Sequence, residues 1–152
     1  MRSYPGALLA AVVRALGRKD AALLVGSSQG AAAVFNAALE LPTLAGALAV
    51  VHPVGHDVAR YTAIQAQTLL VFDVDDDGHP VSVGRKMRRY LPHNRYVEYS
   101  SRRDGPWLEA HLANELHALL GSVRRQAGQR RLKMPLLTRL AGYACMENYI
   151  YI

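Results

Sequence analysis

Leu23-Leu24-Val25-Gly26-Ser27-Ser28-Gln29-Gly30-Ala31 is the stretch on which the reading of this chain turns. Ala21 to Val25 is a short apolar run of strand type. Small residues follow it at once, and Ala31 to Leu41 then has the alanine-rich composition of a helix packed closely on something flat. The local order is strand, sharp turn, helix. Gly26 and Gly30 flank the turn, where the absence of a Cβ lets strand and helix approach, and Ser28 stands between them.

The surroundings repeat the pattern. Leu8, Leu9, Val12, Val13 and Leu16 recur at helical spacing, with Gly17 where a C-cap glycine belongs. Ala45 to Val51 and Thr68 to Phe72 are further continuous apolar runs, broken by His52-Pro53-Val54-Gly55 and by an acidic cluster. Strands that are apolar throughout are buried on both faces, the habit of parallel sheets covered by helices. Val83 to Leu91 suits a helix, Tyr96 to Tyr99 a more polar edge strand, and Trp107, Leu108, Leu112, Leu116, Leu119 and Leu120 a closing helix. The expected architecture is three-layer α/β/α with a mostly parallel sheet of about four strands. It occupies residues 1–120, and a basic appendage interrupted by Gly128, Pro135 and Gly142 fills 121–152.

Composition narrows the possible functions. At 152 residues, 51% of them apolar, the chain suffices for one domain with a core. No apolar stretch approaches the roughly 20 residues that cross a bilayer. The single cysteine, Cys145, excludes an internal disulfide framework and favours the cytoplasm, although Arg2, Arg14, Arg18 and Lys19 around an apolar stretch leave mitochondrial targeting open. The net charge of +6 belongs to the tail: charges nearly balance up to Leu120, after which Arg124, Arg125, Arg130, Arg131, Lys133 and Arg139 face only Glu147. Such a tail could touch nucleic acid or an acidic membrane surface, but no nucleic-acid motif accompanies it, so no specific nucleic-acid partner is expected.

A serine hydroxyl needs a base to take its proton and a backbone that presents it clear of its neighbours. The Gly26-Ser27-Ser28-Gln29-Gly30 pentapeptide, between strand and helix, resembles the nucleophile elbow of the α/β-hydrolase family, especially its small single-domain members. The resemblance runs from about Ser3 to Ser122 and matches about the second half of such a domain. It implies Ser28 as nucleophile, Ser27 facing away, the Gln29 amide as an oxyanion donor, and a small-molecule ester or acyl substrate with no cofactor.

The family order of serine, acid, histidine further implies an acid after the second strand beyond the elbow. Asp76 in Asp73-Val74-Asp75-Asp76-Asp77-Gly78-His79-Pro80 fits best, with Asp77 or Asp75 next. The same segment opens like a calcium-binding EF-hand loop, but Gly84 stands where that loop needs a bidentate glutamate, so no metal is expected. The family histidine follows the last strand. There, in Ser100 to Trp107, Asp104 takes its place, and a carboxylate is a weak base toward a serine. His79 is the substitute candidate. His52 could border the pocket, His111 and His117 fall on the closing helix, and His56 and His93 read as ordinary loop residues. Family members also place strands before the elbow, so an N-terminal segment or a partner chain is expected to complete the sheet at the otherwise open edge of the first strand. Two functions follow: a serine hydrolase of ester, thioester or amide bonds, or a non-catalytic binding or assembly module on the same fold.

Overall fold

The computed structural model describes residues 6–54, 58–132 and 149–151, with side chains described up to Arg125. Helices and strands alternate: α1 (Gly6–Ala15), β1 (Ala21–Ser27), α2 (Gln29–Glu40), β2 (Ala45–Val51), a 3-10 helix (Val58–Ala63), β3 (Gln67–Asp73), α3 (Val81–Tyr90), β4 (Asn94–Tyr99), the single turn α4 (Ser101–Asp104), α5 (Trp107–Leu132) and a short β5 (Tyr149–Tyr151). The strands form one sheet in the order β4-β3-β2-β1-β5, and every pairing is parallel. The expected sheet of about four strands is thus present as β1 to β4. β5 pairs with Leu23 to Val25 of β1, along the edge expected to need a partner.

The continuous apolar strands divide their side chains between two cores. Leu24, Leu48, Val50, Leu70 and Phe72 face α1, α2 and α3, together with Val13, Val34, Phe35 and Met87. The alternate residues Leu23, Val25, Ala47, Ala49, Leu69 and Val71 face α5 through Leu112, Leu116, Leu119 and Leu120. Period-two alternation between two apolar layers is what makes an unbroken apolar run a strand here.

Helix α1 ends as its sequence implies. Gly17 has φ +74°, its N–H donates to Arg14 O, and the Arg18 N–H donates to Val13 O, the paired bonds of a Schellman cap. Its apolar residues, however, split: Leu9 and Val13 are buried, while Leu8, Val12 and Leu16 form an outward ridge. At the other end of the chain, α5 continues through Gly128 and across residues 120–121, and Val123 packs against the α5-side core. Arg124 and Arg125 lie on this helix, whereas Lys133, Arg139, Cys145 and Glu147 are outside the described residues. Among the described residues, no helix is long and apolar enough to cross a membrane.

One close approach matters for the site. A Cβ on Gly84 of α3 would stand 2.4 Å from the Phe72 ring of β3, so the glycine lets α3 seat directly on the sheet. That contact fixes the helix that begins one residue after His79-Pro80.

Candidate active site

Because the four main strands are parallel, their carboxyl ends share one edge, the usual location of ligand sites in such sheets. Each of them delivers a side chain there: Ser28 follows β1, His52 follows β2, Asp76 and His79 follow β3, and Tyr99 ends β4.

Ser28 occupies the turn between β1 and α2 with φ 49° and ψ −112°, an unfavourable conformation for a non-glycine residue. It is held there by its own N–H, which donates to Val51 O at 3.0 Å and so extends the β1–β2 pairing by one residue. The tight turn requires Gly26, since a Cβ at that position would lie 2.6 Å from Gly30 O. Ser27 is exposed and Ser28 partly buried, and Gln29 opens α2, whose first amides are free of intrahelical partners.

The Ser28 hydroxyl is 3.0 Å from Nε2 of His79. The opposite ring nitrogen, Nδ1, is 2.7 Å from Asp76 Oδ2. These two contacts assign the tautomer: Nδ1–H donates to the carboxylate, and Nε2 accepts from the serine. Asp76 is itself held by its other oxygen, Oδ1, which accepts from the Gly78 N–H at 2.8 Å and the His79 N–H at 3.2 Å. Burial alone would raise its pKa, but the bonds from the His79 ring and the Gly78 amide outweigh it and hold the carboxyl below its ordinary value.

His79 therefore lies on Ser28, in the position expected of a base. It comes from the loop that also carries Asp76, three residues beyond that aspartate, and not from the loop after β4. The other aspartates of the run have separate partners. Asp73 Oδ1 accepts from the Asp75 and Ser101 N–H groups, each at 3.0 Å. Asp75 Oδ2 accepts from the Ser100 hydroxyl at 2.6 Å and the Arg102 N–H at 3.1 Å. Both thus tie the β3 loop to the β4 loop, and Asp77 is exposed.

Asp104, expected from the sequence to stand where the family has its histidine, is turned to its own loop. Its Oδ2 accepts from the Ser100 N–H at 2.8 Å, while Ser100 Oγ accepts from the Arg103 N–H at 3.1 Å. Such reciprocal bonds cap the start of α4. The Arg103 side chain also pairs with Asp104, and with the Ser100 amide it holds the carboxyl below its usual pKa.

His52 was placed by its sequence at the pocket's border, and the structure brings it onto the acid. Its Nδ1 is 3.7 Å from Asp76 Oδ2, and its Nε2 is 3.0 Å from the Tyr99 hydroxyl. It has φ +47°, stabilised by its N–H donating to Val71 O at 2.8 Å. Its ring lies between those of His79 and Tyr99, with centroids 5.8 and 5.9 Å away. Burial is the main influence on its pKa, which is lowered. Burial also raises that of Tyr99, to about 12, so the phenol keeps its proton. One donor atom each from His52, Asp76 and His79 lies within 4.8 Å of the others, close enough to share a cation. Among the other histidines, His93, His111 and His117 are exposed and His56 is outside the described residues.

No family model matches the chain, and no curated protein matches it. Solved structures do. A predicted CIB-like hydrolase from Thermoplasma acidophilum superposes with a TM-score of 0.64 at 17% identity, over 79% of this chain and 58% of its own length. An alpha/beta hydrolase enzyme from the sediment metagenome of the Mar Chica lagoon, Morocco, gives 0.61 at 15% identity, over 73% and 67%. The monoacylglycerol lipase of Paleococcus ferrophilus gives 0.64 at 13%, over 76% and 74%. At such identities the likeness is one of fold: the chain has an α/β fold with a parallel sheet and flanking helices, matching part of an α/β-hydrolase structure. It spans a little over half the length of the Thermoplasma protein.

Proposed function

We propose that the chain is a serine hydrolase acting on a small ester, thioester or amide, with Ser28 as nucleophile, His79 as general base and Asp76 as orienting acid. The observation that carries this reading is the unbroken contact chain of 3.0 and 2.7 Å from Ser28 through His79 to Asp76. Both distances are within the reach that proton transfer needs.

In this reading His79 Nε2 takes the Ser28 proton as Oγ attacks the acyl carbonyl. Asp76 keeps the imidazole in the tautomer that leaves Nε2 free and stabilises the imidazolium that forms. The Gln29 amide, at the positive end of α2, donates to the developing oxyanion. His79 then gives its proton to the leaving group, and water releases the acyl group by the reverse path. The family order of serine, acid and histidine is kept, but the base stands three residues from its acid instead of after the last strand, and Asp104 has no part in the reaction.

The test is covalent labelling of folded protein with a fluorophosphonate probe, followed by mapping of the modified residue. Modification of Ser28, lost in Ser28→Ala, is the expected result. Well-folded protein that stays unlabelled would sink the proposal and leave the non-catalytic binding module.

A further inference from the structure

The triad uses one histidine of the pair that faces Asp76 and leaves the other without a task. With Asp76 Oδ2 3.7 Å from its Nδ1, His52 is too far for a hydrogen bond, yet its ring nitrogen is directed at a carboxylate that already serves His79. We propose that His52, Asp76 and His79 form a binding site for a zinc-type divalent cation, and that occupying this site switches Ser28 off. The inhibitory half rests on the serine-hydrolase reading above; the binding half does not.

The donor set is that of a metal preferring imidazole to a full oxygen shell. Zinc bound by nitrogen and oxygen at about 2.1 Å in tetrahedral geometry keeps its donors about 3.4 Å apart. The separations of 2.7 Å from His79 Nδ1 to Asp76 Oδ2, and of 3.7 Å from His52 Nδ1 to the same oxygen, bracket that figure. Three protein ligands leave a fourth position for solvent, and all three side chains are partly open to it.

The surrounding partners also fit. Ligating imidazoles usually engage their second nitrogen with another group, which fixes ring orientation. The His52 Nε2 has the Tyr99 hydroxyl at 3.0 Å, the His79 Nε2 has Ser28 Oγ at 3.0 Å, and Asp76 Oδ1 is anchored by two backbone amides. Tyr99 is in turn stacked on Trp107 at 5.1 Å. Each donor thus has a supporting contact on its far side.

Inhibition follows from the tautomer. As a base, His79 carries its proton on Nδ1 and a lone pair on Nε2. As a ligand through Nδ1, it must carry the proton on Nε2, directed at Ser28 Oγ. An Nε2–H cannot accept the serine proton, so metal binding and general-base action exclude each other at one ring.

The experiment is calorimetric titration of the full chain with zinc chloride, in parallel with fluorophosphonate labelling. One zinc per chain is expected, with affinity unchanged in His111→Ala. His52→Asn and His79→Gln should each weaken it at least about ten-fold; asparagine at 52 tolerates the positive φ, which keeps that variant foldable. In unaltered protein, zinc should shift the imidazole signals of His52 and His79 but not those of His111 and His117, a readout that needs no variant. Labelling of Ser28 should fall along the binding curve and return with a chelator. Zinc affinity indifferent to both histidine variants, or shifts confined to other histidines, would overturn the site. Labelling that persists at saturating zinc would overturn the inhibition. Zinc binding as described in a protein that never labels would sink the hydrolase reading while the metal site stood.

Discussion

The loops that follow β3 and β4 leave neighbouring parallel strands at the same edge of the sheet, and both carry aspartate, yet they use it in opposite ways. In the β3 loop, Asp76 secures one oxygen on backbone amides and turns the other toward two imidazoles. In the β4 loop, Asp104 spends its carboxylate on the Ser100 amide and the Arg103 guanidinium. The residue type is the same. What differs is the set of donors within reach: β3 is flanked by β2, which is followed by His52, and runs into a turn containing His79, whereas the β4 loop turns into the single helical turn α4. Position in a loop is therefore a poor guide to catalytic role unless the neighbouring strands are known.

The widest separation between the two loops should come from removing their central residues. His79→Ala is expected to slow fluorophosphonate labelling of Ser28 by several orders of magnitude, as loss of a triad base does, while Asp104→Ala leaves the labelling rate within a factor of a few. A comparable loss from Asp104→Ala would return the β4 loop to the catalytic site. Next in size, Asp76→Asn should lower the rate by about 10⁴ where tautomer control is the acid's task. In the same labelling assay Asp75→Asn should do far less, since the Asp75 carboxylate is engaged by Ser100 and Arg102.

The smallest effect concerns what joins the loops. Asp73 is buried and accepts from an amide of each, so Asp73→Ala should cost about 2 to 4 kcal/mol of stability in denaturant unfolding. Burial would raise the Asp73 pKa, but its bonds to Ser101 and Asp75 prevail and lower it. A carboxyl with a lowered folded pKa contributes stability that is complete above its unfolded value, about 4, and lost as pH falls through the folded one. The stability difference between the unaltered protein and Asp73→Ala should be constant from about pH 7 to 5 and shrink below about pH 4. An equal acid dependence in both proteins would show that Asp73 does not link the loops in this way.

Much of the scaffold was legible in the sequence because it depends on neighbours along the chain. Small residues around Ser28 mark the tight turn between β1 and α2, and the structure shows the physical reason in the 2.6 Å that separates a Cβ at residue 26 from Gly30 O. Asp76 was singled out only through the family resemblance, with Asp77 and Asp75 beside it, because four aspartates within five residues are alike in sequence. His79 drew less weight, although its spacing from Asp76 was visible, because nothing in the sequence states that a turn folds its ring back onto the carboxylate.

The sequence by itself therefore determined the alternation of strand and helix, the burial of β1 to β3 on both faces and the small-residue turn around Ser28, since periodicity and side-chain size act locally. Only the tertiary structure decided which imidazole meets the serine, that His52 and His79 share one carboxylate, and that Asp104 caps a helix. Those outcomes depend on which strands lie side by side. Parallel pairing in the order β4-β3-β2-β1 brings together groups separated by tens of residues, a proximity that no spacing along the chain expresses.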